Sequence, residues 1–91
     1  MKALYMLKFK HNKKWHYKIG HSGCFEYRKK RIKESLVDSK IKAKLHTCFV
    51  IKIPFAAEIE DMIHEYLQRK GYRYQHNLPR TVSGWSEYYL F

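Results

Sequence analysis

The sequence has little of what staples, bends or interrupts a chain. Its two cysteines, Cys24 and Cys48, are too few for a disulfide framework and form no Cys-x-x-Cys pair, so the fold must rest on packing. With His46 they could be offered to zinc, but the spacing matches no zinc motif. Two prolines and four glycines in 91 residues leave no linker and no low-complexity stretch, which predicts a single domain over 1–91. No apolar run has the length of a membrane span and no basic amphipathic anchor stands out, so a membrane partner is not expected. Met1-Lys2 runs directly into a strand pattern without a secretory signal. With the cysteine usage, this gives an intracellular, cytoplasmic location as the expectation.

Acidic residues are also scarce: eight Asp and Glu stand against nineteen Lys and Arg, for a net charge of +11. A fold does not need that excess, and self-repulsion makes it unfavourable, so an anionic partner is implied. The bases fall at 8–14, 28–33, 40–44 and 69–80 instead of forming one tail, which describes a folded basic surface. Nucleic acid is the expected partner, with Arg28, Lys29, Arg31, Lys42, Lys44, Arg73 and Arg80 as candidate contacts. Hydrophobic residues make up 45% of the chain, enough to exclude a disordered basic arm. Nothing in the sequence sets the oligomeric state.

Periodicity supplies the elements. Residues 3 to 9 are apolar on both alternating faces and read as a central strand; His11-Asn12-Lys13-Lys14 is a polar turn, and residues 15 to 20 make a second strand. A connecting loop of two or four residues would put Tyr5 and Lys18 on one face, while one residue more or less would separate them. Phe25, Ile32 and Leu36 recur at helical spacing from about Cys24 to Val37, with Ser22 as a candidate cap and Arg28 at the edge of the stripe. Residues 41 to 53 alternate regularly and predict one long strand with Ile41, Ala43, Leu45, Thr47, Phe49, Ile51 and Ile53 on its core face. Pro54 suits the first turn of a helix over about 55–70, striped by Phe55, Ile59, Met62, Ile63 and Tyr66 and stopped by Gly71. On it Glu60 lies on the flank bordered by Ile63 and Leu67, and His64 points further outward. Residues 72 to 83 read as a loop and 85 to 91 as a last strand. The predicted fold class is α/β: a mostly antiparallel three-stranded sheet flanked by helices, with a short C-terminal strand.

The chain at this point resembles the GIY-YIG nuclease superfamily, and in particular its phage-associated branch with a Lys-Ile-Gly second motif. Ala3-Leu4-Tyr5 stands for the first motif and Lys18-Ile19-Gly20 for the second. Arg28 follows that glycine at about the family's distance, Glu60 sits where the family keeps its metal-binding glutamate, and Gly84-Trp85-Ser86-Glu87-Tyr88-Tyr89 looks like the closing element. Two departures stand out. Lys18 replaces the tyrosine of most members, and the first motif lacks its glycine; Asn77 is the candidate for a late asparagine.

The resemblance implies a metal-dependent endonuclease that hydrolyses DNA phosphodiester bonds with Mg²⁺ (or Mn²⁺). Glu60 would be the metal ligand, since Mg²⁺ keeps several waters and binds through one or two carboxylates. Arg28 would grip a phosphate oxygen with its planar fork. Tyr5 and Lys18 would position or deprotonate the attacking water, Tyr17 is the alternative phenol, and His64 would orient metal waters or the leaving group. Taken singly, each has an ordinary explanation: core aromatics for Tyr5 and Tyr17, a surface lysine for Lys18, a solvated helix arginine for Arg28, and an exposed helix pair for Glu60 and His64. Tyr72, Tyr74 and His76 beside Arg73 and Arg80 could stack on unpaired bases. Two other functions compete: a nucleic-acid-binding protein on the same fold without catalysis, and a small basic inhibitor of an acidic protein.

Overall fold

A computed structural model of the chain describes residues 1–72 and 78–91, together with the backbone of 74 and 75. Strands β1 (Ala3–His11) and β2 (Lys14–Ser22) form an antiparallel hairpin in which Tyr5 faces Gly20 and Leu7 faces Lys18. The connection is two residues long. Asn12 and Lys13 both have positive φ, 52° and 65°, the pattern of the type I′ turn whose twist matches that of the strands. Tyr5 and Lys18 therefore do share a face.

Helix α1 (Phe25–Asp38), strand β3 (His46–Lys52), helix α2 (Ala56–Arg69) and the two-residue strands β4 (Tyr74–Gln75) and β5 (Tyr88–Tyr89) follow. The sheet order is β3-β1-β2-β5-β4, with antiparallel pairing throughout. The α/β architecture agrees with the sequence reading. β4 lies where a loop was expected, and only Tyr88 and Tyr89 of the expected last strand are paired.

The helices lie on opposite faces. On the first face, Tyr5, Leu7 and Phe9 pack with Ile32 and Leu36 of α1, with Ile41 and Leu45, and with Leu78, Val82 and Tyr88 from the C-terminal segment. On the second, Leu4, Met6, Ile19 and Phe49 meet Ala56, Ile59, Ile63 and Leu67 of α2.

The long strand expected over 41–53 is shorter and changes face. Residues 41 to 45 are unpaired, and β3 begins at His46. Leu7 pairs with Thr47 but Met6 with Phe49, so Cys48 is the extra residue of a bulge. One added residue inverts the alternation. Ile41, Ala43 and Leu45 consequently join the first core, and Phe49 and Ile53 the second. Thr47 is exposed and Ile51 half exposed.

Helix α2 is rotated from its expected stripe. Phe55, Met62 and Tyr66 are exposed, while Ala56 and His64 are buried. A small residue and a hydrogen-bonding imidazole fit the close approach to the sheet where the larger side chains do not. Pro54 lies in the turn ahead of α2 and Phe55 is the N-cap, with φ of 60°. Ser22 does not cap α1 by side chain either; its hydroxyl accepts from the Cys24 amide at 3.0 Å. No helix among the described residues is long and apolar enough to cross a membrane.

Candidate active site

The site grows from the β2 side of the hairpin. β5 is paired with β2 at Tyr17–Tyr89, and among the described residues no ladder pair with β5 continues from Lys18 to Ser22. On the first face Tyr5 lies directly across Gly20. A Cβ built on Gly20 would stand 2.5 Å from the Tyr5 hydroxyl oxygen, so only glycine admits the ring there. The ring also rests against Phe25 of α1, with centroids 5.4 Å apart.

Arg28 reaches the same hydroxyl from the first turn of α1, acting on it by hydrogen bond and by charge. Burial nevertheless dominates and pushes the Tyr5 phenol above its ordinary value, with Arg28 opposing. Tyr5 stays protonated, and its oxygen accepts from the Arg28 guanidinium. Lys18 responds in the opposite direction. Burial, reinforced by the Arg28 charge, holds its ammonium below the usual lysine range, while Glu87 and Glu60 work to keep the proton on.

Lys18 is enclosed by the C-terminal segment. Its Nζ lies 5.6 Å from the Tyr88 ring centroid and 3.9 Å from Glu87 Oε2. Gly84, at φ +69°, presses so close that a Cβ there would fall 2.8 Å from Nζ. The main-chain N–H of Glu87 donates to the Gly84 carbonyl at 2.8 Å, which closes the turn over the ammonium. The Tyr88 hydroxyl is tied to the Ser83 carbonyl at 3.1 Å, and burial pushes its pKa up.

Glu60 approaches from α2 and is held between two imidazoles, His21 Nδ1 at 2.7 Å and His64 Nε2 at 3.3 Å. His64 is not the outward-pointing residue expected from the sequence. It is buried, and its Nδ1 lies 2.7 Å from the Tyr89 hydroxyl, with the rings stacked. The Glu60 charge acts on both Tyr5 and Lys18, raising each pKa, as a smaller influence than burial.

A carboxylate has about four lone-pair positions, so two imidazole contacts leave acceptor capacity at Glu60. Among the described residues no group of three or more His, Cys, Asp or Glu gathers around a metal position. Glu60 is the carboxylate here that would hold a cation.

Tyr17 is apart from Tyr5 and Lys18, on the second face with its ring 5.0 Å from Phe91. Lys29 is half-buried; Arg31, Lys42 and Lys44 are exposed. Arg80 is exposed, its guanidinium 5.5 Å from the Trp85 ring centroid. Arg73, His76, Asn77 and the side chain of Tyr74 lie outside the described residues. Cys24 and Cys48 are both free and exposed.

Sequence reasoning missed His21, Glu87 and Tyr89 as members of this cluster. Alternation along β2 puts His21 on the face of Ile19, so the signal was present once α2 is known to cover that face.

No curated protein and no solved structure matches the chain. One family model does, over residues 2–89, nearly the whole length. The chain belongs to the T5orf172 domain family, a phage-associated family.

Proposed function

We propose that the protein is a metal-dependent endonuclease of GIY-YIG type, acting on DNA phosphodiester bonds with Mg²⁺ or Mn²⁺. The observation that carries this reading is that Tyr5 and Lys18 share one face of the hairpin, with Gly20 making room for Tyr5, and that the charges of Arg28 and Glu60 act on both. Membership of a phage-associated family often linked to nucleases agrees with it.

In this reading Arg28 donates to a nonbridging phosphate oxygen, and Tyr5 steadies that guanidinium. Lys18, less basic than an ordinary lysine, takes the proton of the attacking water. The water oxygen bonds to phosphorus, the bridging oxygen leaves, and the leaving oxygen is protonated by solvent. Glu60 would hold the cation, which when bound offsets charge on the phosphate. His21 and His64 would orient that carboxylate. The exposed bases Arg31, Lys42, Lys44 and Arg80, with Lys29 beside Arg28, would hold the phosphate backbone.

Nicking of supercoiled plasmid with Mg²⁺ and its loss in EDTA is the test; no nicking with Mg²⁺ or Mn²⁺ contradicts the reading.

The second reading is a nucleic-acid-binding protein on the same fold without turnover. Its specific support is the enclosure of Tyr5 and Lys18, only 1% and 3% exposed, which leaves little room for water at either group in this state. Salt-sensitive binding without nicking would establish it.

A further inference from the structure

The second face of the sheet is covered by α2 only in part. The helix packs on Leu4, Met6 and Ile19, whereas the half nearer the hairpin turn carries Lys8, Lys10, Trp15 and Tyr17 and has no place in that core. Lys10 and Trp15 are exposed. The Lys8 ammonium lies 4.6 Å from the Trp15 ring centroid and 6.0 Å from that of Tyr17. Phe91, 53% exposed, stands 5.0 Å from Tyr17 and 5.2 Å edge-on from Tyr72.

These rings continue to the candidate active site. Phe91 stacks on Tyr89 at 5.6 Å and 10°, and Tyr89 stacks on His64 at 5.6 Å and 16°. His64 in turn reaches Glu60. A chain of ring contacts therefore runs from Tyr17 and Phe91 through the buried Tyr89 and His64 to the carboxylate.

Trp15 also meets His46 edge-on at 5.8 Å, so these rings are partly exposed, and partly exposed rings with lysines among them fit a polyanion that has flat apolar faces of its own. Unpaired bases on a phosphate backbone have that chemistry, while in a duplex the same faces are hidden by stacking. An acidic peptide would satisfy the lysines and leave the ring faces unused.

We propose that the hairpin half of this face is a platform for single-stranded nucleic acid, with unpaired bases stacked on Trp15 and Phe91 and phosphates held by Lys8 and Lys10. The direction of the strand, toward Glu60, rests on the nuclease reading; the binding does not.

Fluorescence anisotropy in EDTA, where no cleavage intrudes, tests it with a labelled oligothymidine of roughly 12 nucleotides and a blunt hairpin duplex carrying as many phosphates. The parent is expected to prefer the single strand. Trp15→Ala and Phe91→Ala should each weaken single-strand binding roughly fivefold to a hundredfold and leave the duplex nearly unaffected, and Trp15→Phe should restore most of the loss. Unchanged single-strand affinity in both alanine variants, or equal loss for both probes, would overturn the platform. A chain that shows the selective loss but never nicks DNA keeps the platform and loses the nuclease reading.

Discussion

Tyr5 and Gly20 are a directly opposed pair whose contact is tighter than any other residue at position 20 would allow. The phenol occupies the space a side chain would need, and Arg28 and Phe25 fix it from above.

Gly20→Ala should therefore act on stability and site together. Overpacking of this kind typically costs about 1–3 kcal/mol, read as a lower urea midpoint. The Tyr5 ring has to shift from its place across Gly20, so cleavage should fall by more than the unfolded fraction explains. A variant with parental midpoint and parental rate would show that the close contact is not needed.

In the nuclease reading, Lys18 is expected to set the pH dependence of the rate. Its proton is removed more easily than from an ordinary lysine at 10.5, because burial and the Arg28 charge outweigh Glu87 and Glu60. Cleavage is expected to rise with pH and level off below that value. Glu87→Gln removes a charge that holds the proton on, so the rise should move to lower pH. A profile shifted upward, or not shifted, would contradict the assignment of Lys18 as the base.

His16 gives the fold an acid limit. It is buried, stacked on Phe9 at 5.2 Å, and burial holds its pKa below 6.5, aided by the charges of His11 and Lys14 and opposed by a backbone hydrogen bond at His11. The unfolded chain takes up this proton first as the pH falls. Stability should thus be complete above about pH 6.5 and decline from there down to the folded-state pKa. Urea midpoints across pH 5 to 7 should show this slope, and His16→Phe should flatten it.

Much of this architecture was legible in the sequence because it depends on alternation. The polar residues at the hairpin turn allowed the register that brings Tyr5 and Lys18 to one face, and a two-residue turn realises it. The segment from Ile41 to Ile53 was misread because its pattern is unbroken in sequence. The bulge at Cys48 is a matter of pairing with β1, which no local pattern reports. For α2, hydrophobicity alone favoured Phe55, Met62 and Tyr66, whereas closeness to the sheet selected Ala56 and His64. His21 and Tyr89 join Glu60 only through packing of α2 on the second face, a contact between distant segments. Glu87 was visible in the closing motif, but its approach to Lys18 depends on the turn at Gly84.

If Glu60 belongs to a hydrolytic site, nicking of supercoiled plasmid with Mg²⁺ by the parent chain and by Glu60→Gln, with DNA binding measured in parallel, will show it. The expected result is metal-dependent nicking by the parent, at least a hundredfold loss in the variant, roughly the scale of removing one electrostatic group from a transition state, and binding largely retained. Equal nicking by both chains, or none by the parent, would contradict it.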